Sequence, residues 1–475
     1  MPEPTAAAVL PGPSRRWSRL AGGGVGATLL RGVAGGGGVR MLGMALSFLV
    51  GLQLARGLGP EGYGVYALAM SVVAILGVPA QFGVPQLVTR EVAAGHAGED
   101  WPLVRGVLRW ADRTVLVSSV AVVAAALGWL LVTGEAAEGP FARTLWVAVL
   151  LTPVIALTRV REAAVKGLMH LVVGQVPDLI VRPGVQAALL AGVWLFAFPL
   201  TPASAMGVHL AAAVASLAVA WWLLRGRRPR ELQAAHAAVG GGGAWLRASV
   251  PMGLTIGLFT LQSHAAILLL GVFSDESQVG LYQVANRVAA FGALPMGLVS
   301  TVVGPVMAKL YAAGDHTKLA RTSQSMAWAM LGGAGLLLLP LVVLGRPLLS
   351  LAFGAEYAAA AAPLAVLALN HLIVAFCGPS ATLLNMIRLE REVTKAFLWA
   401  LPLSVAAAIV LVPRLGATGA AWALVVSTLV WNGLVWRSSR RLGGIDPSVI
   451  GPLLPTPRPR KADPSPANSA PEATE

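Results

Sequence analysis

Charge is what this sequence has least of. Asp, Glu, Lys and Arg make up 12% of the 475 residues, about half the share a soluble domain uses to hold its surface in water. With 56% hydrophobic residues and a mean hydropathy of +0.73, a water-covered globule is excluded and a polytopic membrane protein is implied. Cysteine occurs once, at Cys377. A single thiol in an apolar run forms no internal disulfide and says nothing about redox compartment. The sequence has no Gly-x-x-x-x-Gly-Lys-Ser/Thr stretch and no His-Glu-x-x-His, so neither a nucleotide-driven pump nor a zinc peptidase is predicted. The outward gaps between apolar runs are too short for a catalytic domain. The chain is therefore not expected to be an enzyme, and it calls for no cofactor and no metal. No small-residue cleavage site follows an apolar stretch in the first thirty residues, so no processing is expected there.

What is present is a series of apolar runs. The first pair is Met41 to Ala55 and Val65 to Val84, each near the length of about 20 residues that crosses a bilayer as a helix. Between them, Arg56 to Gly62 is rich in Gly and Pro and ends one helix before the next begins. Further spans are predicted near 112–133, 144–164, 175–198, 203–224, 250–273, 278–302, 324–345, 361–384, 395–413 and 417–437. That makes about twelve transmembrane helices in an all-α protein. A short repeat divides them. Gly64-Val-Tyr-Ala-Leu-Ala69 opens the second helix and Gly280-Leu-Tyr-Gln-Val-Ala285 the eighth. Two six-helix lobes of equal orientation, related by an axis along the membrane normal, are expected around a central cavity. The boundaries read as an N-terminal segment 1–32, a first lobe 33–224, a basic linker 225–247, a second lobe 248–440 and a disordered tail 441–475.

The net charge of +14 does not indicate nucleic acid, because the cations fall in short clusters between apolar runs rather than in one stripe. Arg90, Arg105, Arg109 and Arg113 lie in one gap. Arg159, Arg161, Lys166 and Arg182 lie in the next, and Arg225, Arg227, Arg228, Arg230 and Arg247 in the central one. Lys309, Lys318 and Arg321, then Arg388, Arg391 and Lys395, follow in the last two. The alternate gaps hold only Arg56, Arg143, Arg346 and Arg414. This bias puts the cation-rich gaps and both termini in the cytoplasm.

Two cations belong to no gap. Arg287 lies about nine residues inside its span, near mid-bilayer, where reaching the head groups is hardest. Gln283, Asn286 and Arg287 share one helix face at spacings of three and four. The preceding helix offers Gln262, Ser263 and His264 at its midpoint; for His264 a hydrogen-bonded helix contact is the plainer role. Arg40 sits about seven residues into the first helix, where its side chain either snorkels to the head groups or faces a cavity. Asp112, Glu162, Asp178 and Glu356 all fall near predicted span ends. A polar interior with arginines and without carboxylates suits an anionic cargo, clamped through phosphate or carboxylate.

Leu54-Ala-Arg-Gly-Leu-Gly-Pro-Glu-Gly-Tyr-Gly-Val-Tyr66, ending in Val88-Thr-Arg-Glu91, resembles the opening of the polysaccharide-biosynthesis (Wzx-type) flippases. So do Val279-Gly-Leu-Tyr-Gln-Val-Ala-Asn-Arg287, Gly304-Pro-Val-Met-Ala-Lys-Leu-Tyr311 and Leu415-Gly-Ala-Thr-Gly-Ala-Ala-Trp422. The resemblance covers most of Val33 to Gly444. It implies the multidrug/oligosaccharidyl-lipid/polysaccharide exporter superfamily, with V-shaped lobes working by alternating access. It also implies a cargo of polyprenyl-diphosphate-linked glycan carried across the bacterial inner membrane, with a polymerase and glycosyltransferases as partners. The related lipid II flippases carry cavity arginines on their first and eighth helices, where Arg40 and Arg287 fall here; their other cavity arginines have no match. Their two extra C-terminal helices are also missing. The resemblance thus assigns Arg287 and Arg40 to the head group, while Gln283, Asn286, Gln262 and His264 are candidate cavity groups by their own positions. Arg90 stands at the cytoplasmic mouth or on lipid head groups. Two other readings stay open: an H⁺- or Na⁺-coupled drug or metabolite exporter, and a non-transporting scaffold for synthesis enzymes.

Overall fold

The computed structural model describes residues 25–132, 139–236, 238, 241–387 and 389–453. Arg15, Arg16 and Arg19, most of the expected N-terminal segment, Arg388 and the tail from 454 lie outside the described residues.

The described residues are helical, with no strand among them. Among the described residues, nine helices are long and apolar enough to cross a membrane, and two of these are hairpins. One breaks at Gly59, φ 69° and ψ 177°, and the other at Gly416, φ 53° and ψ −130°. Positive φ is where glycine carries no steric penalty, and Pro60 then starts the second arm at a position whose missing N–H costs nothing. The remaining crossing, Glu276–Ala289 and Ala293–Ala312, is interrupted by a 3₁₀ turn at Ala290–Gly292. The twelve crossings are α1 (25–58), α2 (60–81), α3 (Trp101–Val132), α4 (Pro140–Gly167), α5 (Pro177–Leu195), α6 (Pro202–Arg227), α7 (Gly242–Phe273), α8 (276–312), α9 (His316–Val343), α10 (Ala355–Cys377), α11 (390–415) and α12 (417–441).

The crossings form two six-helix lobes. One apolar cluster, from Val84 to Leu232, is built from α3, α4, α6 and the first lobe's connections, with Trp245 of α7 packed against it. Two others, around Met307 and Met330, belong wholly to the second half. The largest cluster joins Tyr63, Tyr66 and Met206 of the first lobe to Ile267, Leu270 and Tyr282 of the second. The near end carries the start of α1 and the end of α12, and toward it Gly83 and Gly253 bring the backbones of the two lobes together. The lobes also meet at the end that carries the Gly59 and Ser274 turns, called here the far end. There a Cβ on Gly64 would stand 1.7 Å from the Glu276 carbonyl oxygen, and one on Gly280 would stand 2.0 Å from that of Pro60. Arg56 adds hydrogen bonds to the carbonyls of Leu351 (2.5 Å) and Ala352 (2.6 Å) across the lobes. Tyr357 donates to the Ala55 carbonyl at 3.1 Å.

Three expectations need correction. The span 361–384 is not continuous: α10 ends at Cys377, Gly378 takes φ 66°, and a separate helix Ser380–Met386 follows. The span 278–302 is likewise broken, by the 3₁₀ turn, and its second part runs on to Ala312. The tail is ordered through Leu453. Asp446 is 4% exposed and accepts hydrogen bonds from Trp436 Nε1 and the Ser448 amide, both at 3.0 Å, while Val449 N–H donates to the Phe376 carbonyl. Buried Ile445 and Val449 supply the apolar anchor that composition alone hides.

The central linker is also shorter and more tightly held than its basic composition suggests. Leu232 is buried against the first lobe, Arg105 donates to the Gln233 carbonyl at 3.0 Å, and Ala238 N–H to Pro102 at 2.9 Å.

Candidate functional site

A cavity of about 600 Å³ lies between the lobes, bounded by α1, α2, α4, α5 and α6 on one side and by α7 and α8 on the other. Tyr66, Gln186 and His209 close it toward the far end. Gln81, Gln86, Arg159 and Gly253 line it toward the near end. Three arginines face it, Arg159, Arg182 and Arg287, and no Asp or Glu is among its lining residues.

Each arginine is set by its helix. Arg287 sits eleven residues along α8 from Glu276, about 16 Å at 1.5 Å per residue and so near mid-bilayer. Its side chain lies across Gly51 of α1, whose missing Cβ leaves the room, and it donates to the Ser47 carbonyl. Arg182 follows a short π-helical turn, Pro177–Val181, at the start of α5, the kind of irregular turn that often accompanies function. It pairs with Asp178 at 2.6 Å. Arg159 is exposed on α4 and forms no ion pair among the described residues. Electrostatically the cavity therefore holds one neutralised cation and two that an anion could occupy.

The polar far-end wall is a hydrogen-bonded cluster. Gln186 Nε2 donates to Tyr66 Oη at 3.1 Å, and Tyr66 Oη lies 2.5 Å from His209 Nδ1. His264 also lines the cavity. Its Nδ1 is 3.1 Å from Ser71 Oγ, and since Ser71 gives its own proton to the Ala67 carbonyl at 3.0 Å, His264 is the donor.

Of the residues read from the sequence, Arg287, Gln283 and His264 line this cavity. Asn286 shares the helix of Gln283 and Arg287 but is not in the lining. Gln262 is buried and turns toward α12, donating to Ser427 Oγ at 3.0 Å. Arg40 is exposed, with Nε 3.4 Å from Gln175 Oε1, away from the cavity. Arg90 is exposed and pairs with its neighbour Glu91 at 2.8 Å. Glu162, expected near a span end, is buried on α4, accepting from the Asp178 amide at 2.9 Å and from Lys166 Nζ at 3.5 Å. Sequence reasoning counted Arg159 and Arg182 among gap cations and passed over Tyr66, Gln186 and His209. The available signal was position: Arg159 and Arg182 fall inside the spans 144–164 and 175–198, and a mid-span polar group commonly faces the bundle interior.

Comparisons with known proteins agree with this architecture. No curated protein sequence matches the chain. Its fold is similar to that of an inward-facing multidrug resistance MATE family transporter of the MOP superfamily, with a TM-score of 0.69, 16% identity and coverage of 85% of this chain and 97% of that one. It is similar to the lipid II flippase MurJ in an inward closed conformation, with a TM-score of 0.66, 11% identity and coverage of 85% and 86%. A MOP superfamily transporter from Pyrococcus furiosus, described as having a binding pocket of reverse polarity, gives 0.60 at 16% identity, covering 88% and 97%. The family model described as polysaccharide biosynthesis protein matches residues 29–311, more than half of the sequence. This multi-pass membrane protein, with the fold of the MATE and MurJ transporters, belongs to the polysaccharide biosynthesis protein family.

Proposed function

We propose that the protein is a flippase that moves polyprenyl-diphosphate-linked oligosaccharide across the bacterial inner membrane by alternating access, for surface polysaccharide synthesis. The observation that carries this reading is the cavity lined by three arginines and no carboxylate, in a member of a polysaccharide biosynthesis family. A diphosphate is acceptor-only and doubly charged, and guanidinium forks bind it with charge-assisted, often bidentate hydrogen bonds. Arg287 holds the head group at mid-depth and Arg159 meets it toward the near end, while the prenyl chain stays in lipid. The cation bias of the connections puts the near end in the cytoplasm. The cavity reaches toward the near end at Gln81, Gln86 and Arg159, which suits loading from that leaflet. Rocking about the interlobe contacts then presents outside, to a polymerase partner, the glycan that glycosyltransferase partners have built on the near side.

The test is flipping in proteoliposomes of a fluorescent polyprenyl-diphospho-oligosaccharide, read by accessibility to an external quencher. Wild-type protein is expected to flip the probe and Arg287→Ala to lose at least about tenfold in rate, with normal membrane insertion. Flipping by Arg287→Ala at the wild-type rate would remove the cavity assignment.

A further inference from the structure

We infer that the near end of the first lobe carries a phosphate site, built by Arg161, Arg225 and Arg228, that binds the head group of an anionic phospholipid in that leaflet. The site lies outside the interlobe cavity and does not depend on the flippase reading. Arg228 directly follows α6 and is half-buried. It forms no hydrogen bond or ion pair among the described residues, and only its Nε is both sealed and unpaired. Its two terminal amines are therefore open to a ligand. Burial pushes its pKa below the usual guanidinium value, and the charges of Arg161, Arg105 and Arg225 push the same way; Asp112 alone opposes them. Asp112 is already engaged by Arg161 Nη1, and Arg105 is spent on the carbonyls of Gln233 and Ala235. Four guanidinium groups thus share one carboxylate. A partly desolvated cation without a counterion is costly, so what this cluster lacks is an anion.

The cluster sits at the depth of phospholipid phosphates. Counted from the far end, Asp112 is 20 residues from Val132 on α3, and Arg161 is 21 from Pro140 on α4. At 1.5 Å per residue that is about 30 Å, the thickness of the hydrocarbon core. Arg225 stands over the Trp221 ring at 5.2 Å, and Trp221 and Trp222 are 48% and 67% exposed. Exposed tryptophans at this level mark the lipid-facing side of a crossing, so the cluster borders bilayer lipid. A phosphodiester offers acceptor oxygens that guanidinium forks match, and basic pockets at the cytoplasmic ends of crossings bind anionic head groups. A zwitterionic head group brings its own cation and leaves the excess charge uncompensated.

The experiment titrates the purified full chain in detergent with dioctanoyl phosphatidylglycerol, dioctanoyl phosphatidylcholine or inorganic phosphate, and reads thermal stability. Wild-type protein is expected to respond to phosphatidylglycerol at concentrations at least about tenfold below those of phosphatidylcholine, and not to phosphate alone. Arg228→Gln and Arg225→Gln are each expected to cut that preference about fivefold, the contribution of one basic residue near an anionic surface. Arg346→Gln, at the far end, is expected to keep it. If Arg228→Gln does not fold, Arg225→Gln, at an exposed position, decides the matter. An equal response to both lipids overturns the inference, and so does a preference that Arg225→Gln leaves unchanged. Stabilisation by inorganic phosphate as strong as by phosphatidylglycerol overturns the assignment to lipid.

Discussion

The two copies of the Gly-x-Tyr-x-x-Ala motif do the same packing task and different chemical tasks. Gly64 and Gly280 each press on the backbone of the opposite lobe, at the Glu276 and Pro60 carbonyls. The lobes thus touch across a local twofold relation, and each tyrosine ring, Tyr66 and Tyr282, is buried behind its glycine. Three and seven residues on, the copies diverge. The first has Ala67 and Ser71 where the second has Gln283 and Arg287. The cross-lobe contacts still correspond: Ser71 of α2 meets His264 of α7, and Arg287 of α8 meets Ser47 of α1. Backbone proximity forces glycine in both copies, whereas the cavity needs its mid-depth cation only once. Symmetry here belongs to packing, and asymmetry to the site.

The sharpest way to break the symmetric half of that comparison is a side chain at the motif glycines. The obstacle is backbone, which no rotamer change removes, so Gly64→Val and Gly280→Val are each expected to cost about 3 kcal/mol or more. Thermal unfolding of the purified variants checks this; tolerance of one and not the other would end the claim of equivalence. The asymmetric half is tested by charge. Arg287→Lys keeps the cation but loses the fork, and a loss of about threefold in flipping is expected, smaller than for Arg287→Ala in the same proteoliposomes. Ser71→Arg, by contrast, puts a cation at a site that is 1% exposed, and poor insertion rather than altered transport is expected.

Arg56 offers a milder perturbation of the interlobe contact. Arg56→Ala frees the Leu351 and Ala352 carbonyls, a change of about 1.5–3 kcal/mol for hydrogen bonds to a charged group. Spin labels on the far-end turns should then show a longer or broader distance distribution by double electron–electron resonance. An unchanged distribution would mean that the remaining interlobe contacts hold the lobes without Arg56. The smallest effect is expected from Ser71→Ala, which removes the acceptor of His264 and should lower stability by about 1 kcal/mol, again read by thermal unfolding.

Much of the fold is legible in the residue order. Each crossing is long because the bilayer core demands it, and each tight turn carries the Gly or Pro that stops a helix, as at Gly59-Pro60 and Gly416. Where the reading failed, the cause was local backbone or local burial. Gly378 sits in an apolar run that hides its break, and Ile445, Asp446 and Val449 lie in a segment whose Pro and Ser content suggests disorder. The cavity was half legible. Arg287 stands out because an arginine at mid-depth has no cheap alternative to a polar interior. Arg159 and Arg182 lie closer to helix ends, where the same residue type also serves as a gap cation.

The sequence by itself determined the number of crossings, the duplication and the one cation at mid-bilayer, because these follow from chain length against membrane thickness and from residue spacing along single helices. Tertiary structure decided which polar faces converge. The rotation of each helix about its own axis is set by contacts made far away in the chain, such as Gly51 with Arg287 and Tyr66 with His209. Those contacts turn Arg159, Arg182 and His209 into the cavity while Arg40 stands outside it against Gln175, and no spacing along one helix carries that information.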